Sequence, residues 1–402
     1  MTDPARSNKH WRQATKLVRG GTRRSNFDET CEAIFLTSGF VYETAEEAER
    51  TFKQEIDRYQ YSRFGNPTIR MFEERLAAIE GTCFCRATAT GMSAVFASMA
   101  CFLQAGDRVV ASRALFGSCH YIISTILPAY GITTEFVDGG DLAQWEAAFA
   151  RPAAAVFLES PSNPMLDIID LAAVCRAAHG AGAKVIVDNV FASPLLQRPT
   201  EYGADIVVYS ATKHIDGQGR CLGGAILTNE ADWFELKLVP FVRNTGPTLS
   251  PFNGWLLLKG METLDLRVTR HCRNALAVAE FLEGRPEVAR VLYPRLASHP
   301  DHALAMKQMT DGGNIVTINL AGSRAQAFRF LDSLQLIDIS NNLGDTKSLA
   351  THPATTTHQR LTPEERDRLC IRETTVRLSI GIEDIDDLRE DLDQALVRAA
   401  AA

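Results

Sequence analysis

The chain is expected to fold as an α/β protein: a large, mainly parallel sheet covered by helices on both faces, followed by a smaller α+β domain. Three observations predict this. Short runs rich in Val, Ile and Phe recur between residues 83 and 210, apolar on both sides, and stretches of helical spacing separate them. Residues 314–397 mix strand and helix patterns without that strict alternation. The chain, at 402 residues, is also longer than one hydrophobic core usually organises.

In order, residues 5–24 are polar and basic, and 44–57 are acidic and helix-friendly until the stretch Tyr59 to Pro67 breaks the pattern. Asn66 caps a helix that Pro67 opens; Ile69, Phe72, Leu76 and Ile79 share one face, and Gly81 closes it. Strands are expected at 83–89, 108–112, 133–137, 154–159 and 184–188, with another ending at Ser210. Helices are expected between them at 91–103, 118–130, 142–150 and 171–180. A long helical stretch, 255–282, bridges into the second domain, where strands at 314–320 and 375–380 accompany helices at 324–334 and 386–397. This divides the chain into 1–65, 66–260 and 261–402. In such sheets ligands bind at the carboxyl ends of the strands, and Gly91, Asp188, Ser210 and Lys213 all fall there.

Composition narrows the function. A net charge of −7 without a long Lys/Arg run argues against a general nucleic-acid binder. The N-terminus lacks the apolar core of a signal peptide, and no stretch of eighteen apolar residues predicts a membrane span. Nine scattered cysteines, with Cys83 and Cys85 too isolated for a zinc spacing, predict free thiols in a reducing cytosol, without disulfides or a metal.

The stretch that carries chemistry is Tyr209-Ser-Ala-Thr-Lys-His214, which follows the buried-strand run Asp205-Ile-Val-Val208 and precedes the glycine-rich Gly217–Gly224. A lysine at a strand end can form a Schiff base with an aldehyde cofactor, and Ser210 and Thr212 can donate to that cofactor's phosphate. Lys184-Val-Ile-Val-Asp-Asn189 ends in Asp188, an acid placed to keep a pyridine nitrogen protonated. Each signal has a plainer reading, a lysine on a solvated edge or an Asp capping the next helix. Together, in this order, they point to pyridoxal 5'-phosphate (PLP).

Other stretches are read with both senses open. Ala89-Thr-Gly-Met-Ser-Ala94 is either an anion site at a helix start or a plain turn. Asn163, in Glu159-Ser-Pro-Ser-Asn-Pro164, either bonds a cofactor phenolate or belongs to ordinary turn chemistry. Phe116 stacks on a planar ring or fills the core. Tyr61 and Arg63 lie in a solvated loop or reach a phosphate. Arg377, inside an apolar strand, needs a partner, such as a substrate carboxylate. His352 and His358 lack metal-type neighbours and are expected to line a loop.

With these residues in view, the chain resembles the Cys/Met-metabolism PLP-dependent enzymes, the γ-family of the aspartate-aminotransferase-like fold type I, from about Thr22 to the C-terminus. The motifs that carry the resemblance are Tyr-Ser-Arg-x-Gly-Asn-Pro-Thr, the Gly-Met-Ser-Ala turn, Ser-Asn-Pro, Asp-Asn at a strand end, Ser-x-Thr-Lys, His-Pro-Ala-x-x-Thr-His and Val-Arg-Leu-Ser-x-Gly. The resemblance implies that Lys213 holds the cofactor and shuttles protons, with Asp188 at the ring nitrogen and Asn163 at the ring oxygen. It implies phosphate contacts from Gly91, Met92, Ser210 and Thr212, joined by Tyr61, also a catalytic candidate, and Arg63 from a neighbouring subunit. Arg377 would bind the substrate α-carboxylate, with Asn342 and Thr357 beside it. It further implies a cytoplasmic homotetramer of two active dimers, in which residues 1–65 form an arm on the neighbouring subunit.

Two positions depart from the commonest pattern, and a third differs from one branch of the family. Phe116 stands where Tyr usually stacks, Asn342 stands where Ser is usual, and Ser118 stands where methionine γ-lyases carry Cys. The stretches Leu-Phe-Gly, Asn-Leu-Gly-Asp-Thr-Lys-Ser-Leu and Thr-His-Pro-Ala-Thr-Thr-Thr-His resemble the branch that uses O-succinyl-L-homoserine with sulfide. Alternatives, in order, are cystathionine γ-synthase chemistry with L-cysteine and O-acetylhomoserine sulfhydrylase chemistry. A reading from another class is a catalytically silent PLP-fold binding protein.

Overall fold

The computed structural model describes residues 11–401; the remainder of the expected arm and the last residue of the alanine tail lie outside the described residues. Seven strands build the first sheet: β1 (Phe84–Thr88), β2 (Arg108–Ser112), β3 (Thr133–Val137), β4 (Ala155–Glu159), β5 (Lys184–Asp188), β6 (Ile206–Ser210) and β7 (Gly224–Thr228). Their spatial order is β1-β7-β6-β5-β4-β2-β3. All run the same way except β7, which is antiparallel to both neighbours. β4 is buried at every residue and β5 is nearly so, as two-sided apolar runs require.

Local chemistry sets the element ends. The Asn66 side chain accepts the Thr68 N–H, and Gly81 ends the helix Pro67–Glu80 at φ +87°, a conformation glycine adopts without a Cβ penalty. Asp141 and Asp170 cap the helices Leu142–Ala148 and Leu171–Gly180 in the same way.

The second sheet has the order β10-β11-β12-β9-β8, with β8 (Val288–Leu292), β9 (Ile315–Leu320), β10 (Asp338–Ile339), β11 (Leu349–Thr351) and β12 (Thr375–Ser379). It is antiparallel except for the β10–β11 pair. The helices Arg324–Ser333 and Ile385–Ala400 share its core through Ala327, Phe330, Leu388 and Leu392.

Three readings change, and the glycine-rich stretch after Lys213 leads into β7. A Cβ on Gly224 would lie 2.2 Å from the Thr90 carbonyl oxygen, so only glycine lets this strand pass there. The expected single helix over 255–282 is two, Pro251–Glu262 and Leu264–Glu283, broken at Thr263, whose hydroxyl turns back to the Gly260 carbonyl at 3.4 Å. The second of these helices serves two cores: Leu264, Val268 and Cys272 pack with Phe72 and Tyr209, while Ala275, Val278 and Leu282 pack under the second sheet. The polar N-terminal stretch contains a short helix, Gln13–Arg19, that buries Leu17 against the first core. The acidic stretch is helical only over Ala45–Phe52.

What ties the N-terminal residues to the body is a buried ion pair. Arg75 is fully buried and meets Glu32 at 2.6 Å and the Gly20 carbonyl at 2.7 Å. Burial works against the Glu32 carboxylate, but hydrogen bonds from its own backbone, Arg75 and Lys259 hold its pKa down to about 2. Glu32→Gln removes the closer of the two carboxylates that face Arg75, leaving only Glu262 at 3.6 Å, and is expected to lower unfolding free energy by about 3 kcal/mol in denaturant titration.

Candidate active site

A cavity of about 230 Å³ opens at the carboxyl edge of the first sheet, where the second domain closes over it. Nine of the residues singled out above line it: Gly91, Met92, Phe116, Asn163, Asp188, Ser210, Thr212, Lys213 and Arg377. Parallel strands deliver them, since β5 ends at Asp188, β6 ends at Ser210 and the chain then turns through Lys213.

Gly91 begins the helix Gly91–Ala100, capped by the Thr90 side chain, which accepts the Ser93 N–H. A Cβ on Gly91 would lie 2.5 Å from Ser210 Cβ, so the glycine allows the helix start to close on the end of β6. First-turn amides have no acceptor inside their helix and favour an anion. The hydroxyl of Thr212 accepts the Gly223 N–H at 3.1 Å. Amides of the helix start and the Ser210 and Thr212 hydroxyls thus gather at one end of the cavity, a set of donors that fits a phosphate.

Lys213 Nζ donates to Asn342 Oδ1 at 2.6 Å. Burial, and then the charge of Arg377, lower its pKa to about 8, so a fraction of the amine is free base near neutrality. Asp188 accepts the Val190 N–H at 3.1 Å, and burial raises its pKa to about 7. A cationic ring nitrogen would return that carboxyl to its charged form.

Arg377 is buried on β12. Its Nη1 donates to Asn163 Oδ1 at 3.0 Å, and its Nη2 donates to the carbonyls of Asn341 at 2.9 Å and Asn342 at 3.3 Å. These partners are neutral, and Nε has no partner. Burial lowers its pKa to about 10, which leaves it cationic. A buried cation with an unused N–H at a cavity wall fits a carboxylate. The bond to Arg377 occupies Asn163 Oδ1, so the Asn163 amide nitrogen is the group left to donate to a ring oxygen.

A hydrogen-bonded chain joins the two sides of the cavity. His214 bonds the Val190 carbonyl at 3.1 Å and Asn314 Oδ1 at 2.9 Å, and Asn314 Nδ2 donates to Ser379 Oγ at 3.0 Å. The Gly344 N–H donates to the same hydroxyl at 3.0 Å. Sequence reasoning missed this circuit, and also Glu159 and Asn341. His358 does not simply line a loop: it is buried, and burial followed by Arg377's charge lowers its pKa to about 4. His352 bonds Thr355 and the Glu373 carbonyl and holds its turn.

Of the expected residues, Thr357, Tyr61 and Arg63 lie apart from the cavity wall, and Asn342 reaches the site through its bond to Lys213. The Thr357 hydroxyl bonds His358 Nδ1 at 2.8 Å, and its carbonyl packs against Gly117. Tyr61 is exposed beside Phe64, and Arg63 donates to the Arg243 carbonyl. Ser118 is exposed.

A family profile described as Cys/Met metabolism PLP-dependent enzyme matches residues 14–397. The chain belongs to this family. An O-succinylhomoserine sulfhydrylase of Mycobacterium tuberculosis is 55% identical over 388 residues, 96% of this chain and 95% of that one. An L-methionine gamma-lyase of Fusobacterium nucleatum subsp. polymorphum is 38% identical, over 95% and 97% of the two chains. The solved cystathionine gamma synthase of Xanthomonas oryzae pv. oryzae, in complex with aminoacrylate and cysteine, superposes with a TM-score of 0.92 at 36% identity, covering 97% and 99%. A solved Campylobacter jejuni protein described as a putative O-acetylhomoserine (thiol)-lyase, with a TM-score of 0.92 at 32% identity over 96% and 100%, carries a pyridoxyl-lysine phosphate. The chain is therefore a PLP-dependent enzyme of Cys/Met metabolism with the fold type I architecture.

The Asp188 carboxyl gives a pH test. Its folded pKa is raised, so its contribution to stability is full below the unfolded value and is lost as pH rises through about 7. Without cofactor, the wild type is expected to lose roughly 3 kcal/mol relative to Asp188→Asn between pH 5 and 8, measured by denaturant unfolding.

Proposed function

We propose that the enzyme replaces the succinyl group at the γ-carbon of O-succinyl-L-homoserine with sulfide, giving L-homocysteine and succinate. The observation that carries this reading is the 55% identity, across nearly the whole chain, to a protein named O-succinylhomoserine sulfhydrylase. Two features of this chain support it. Phe116 offers stacking area without a hydroxyl, and position 118 holds an exposed serine rather than a thiol.

Bound through Lys213, PLP supplies the electron sink for charge developing at the substrate α-carbon. The residues of the chain do the rest. Arg377 holds the α-carboxylate, and Asn342 aims the Lys213 amine from the second domain. Lys213, set free when the substrate amine takes its place and with its pKa lowered to about 8, takes the proton from the α-carbon, and a further proton is taken from the β-carbon. Succinate leaves, sulfide adds at the γ-carbon, and Lys213 returns protons. Asp188 stays charged at the ring nitrogen, Asn163 donates to the ring oxygen, and Gly91, Met92, Ser210 and Thr212 hold the phosphate.

Tyr61 and Arg63 complete the phosphate site of a second copy in this reading, and Tyr61 contributes to catalysis there. Residues 1–65 form the intersubunit arm, 66–260 the cofactor domain and 261–402 the second domain. The arm's exposed Phe27, Leu36 and Val41 support its docking on another copy. Sedimentation is expected to give four copies, and a monomer that is fully active would overturn the arrangement.

The likeness to a solved cystathionine gamma synthase favours a second reading, with L-cysteine as the nucleophile. The test is to give the PLP-loaded enzyme O-succinyl-L-homoserine with sulfide or with L-cysteine and to measure homocysteine and cystathionine. Homocysteine is expected to form faster, by about tenfold, a difference of roughly 1.4 kcal/mol in barrier. Faster cystathionine formation would select the second reading.

A further inference from the structure

One buried carboxyl at the site has no part in the chemistry above. Glu159 ends β4 in register with Asp188 at the end of β5. Registered residues on adjacent strands leave the same face, so the two carboxyls stand side by side, and both line the cavity. Glu159 is only 3% exposed. Its Oε2 accepts the Phe116 N–H at 2.9 Å, where the helix Gly117–Tyr121 begins. The titratable and charged groups facing it are Asp188 from β5, Arg377 from β12 and the buried Cys119 thiol from that helix.

Two adjacent carboxyls out of water do not both ionise. A cationic ring nitrogen at Asp188 draws the negative charge to that member, and Arg377 is committed to neutral partners and to substrate. We propose that Glu159 is a positioning residue that acts as a neutral carboxylic acid. It carries the proton of the pair, so that Asp188 alone bears charge at the ring nitrogen, and it holds the Phe116 backbone at the cavity wall. Burial and the neighbouring Asp188 both push the Glu159 carboxyl far above the ordinary range, in accord with this geometry.

The inference rests on the cofactor and is independent of which nucleophile the enzyme uses. Infrared difference spectra of the PLP-loaded protein near pH 7 test it. The carbonyl band of a protonated carboxylic acid is expected in the wild type and is expected to vanish in Glu159→Gln. Loss of a carboxylate band instead would mean that Glu159 is ionised and would overturn the proposal. The positioning role is read from cofactor titration. Glu159→Gln keeps shape, neutrality and an acceptor for Phe116, and should hold PLP within about twofold of the wild type. Glu159→Met keeps the volume but removes the acceptor, and should weaken PLP by about tenfold, as the loss of one buried hydrogen bond allows. Equal affinity in the Met variant, or tenfold weakening in the Gln variant, would also overturn it. Should the Met variant fail to fold, the infrared result and the Gln affinity still decide.

Discussion

The loop 340–344 is gripped from both sides, and the site depends on that grip. From the first domain, Lys213 donates to the Asn342 side chain. From β12, Arg377 donates to the carbonyls of Asn341 and Asn342. The chain from Val190 through His214, Asn314 and Ser379 to Gly344 closes the circuit. Each buried polar group in it would cost free energy without its partner, so the two domains meet in one arrangement. That arrangement walls the cavity and takes Lys213 and Asp188 largely out of water, and the desolvation sets their state.

Burial therefore has opposite effects on groups a few residues apart in the chain. It favours the free-base form of the Lys213 amine and the neutral form of the Asp188 carboxyl. Arg377 resists because its guanidinium keeps its proton even when buried. One apolar enclosure thus prepares a base, an acid and an anchor. Binding the cofactor would convert the stored desolvation of Asp188 into an ion pair, which links cofactor occupancy to stability.

Much of the first domain is legible in the chain itself. Asn66, Pro67 and Gly81 mark their helix through hydrogen bonds and dihedrals that span a few residues, and those signals survive any tertiary context. Two-sided apolar runs identify β2, β4, β5 and β6, because covered parallel strands tolerate little else. Asp188 at the end of β5 and Lys213 three residues beyond the end of β6 stand out as candidates for the same reason: each is a polar residue that follows such a run, and both line the cavity.

Other features have no local signature. Gly224 is needed at the start of β7 because the strand passes within contact of Thr90, more than a hundred residues earlier. Thr263 breaks a continuous helical pattern, and the helix beyond it reaches a second core. His358 reads as a loop residue until the fold buries it beside Arg377. Glu159 is one acid among many until strand register sets it against Asp188. The sequence alone determined the alternating strands and helices of the first sheet and marked Lys213 and Asp188 as candidates, since these follow from short-range hydrogen bonding and hydrophobic periodicity. Only the tertiary structure decided which charges share a cavity, because register and domain contact bring together groups that no spacing along the chain relates.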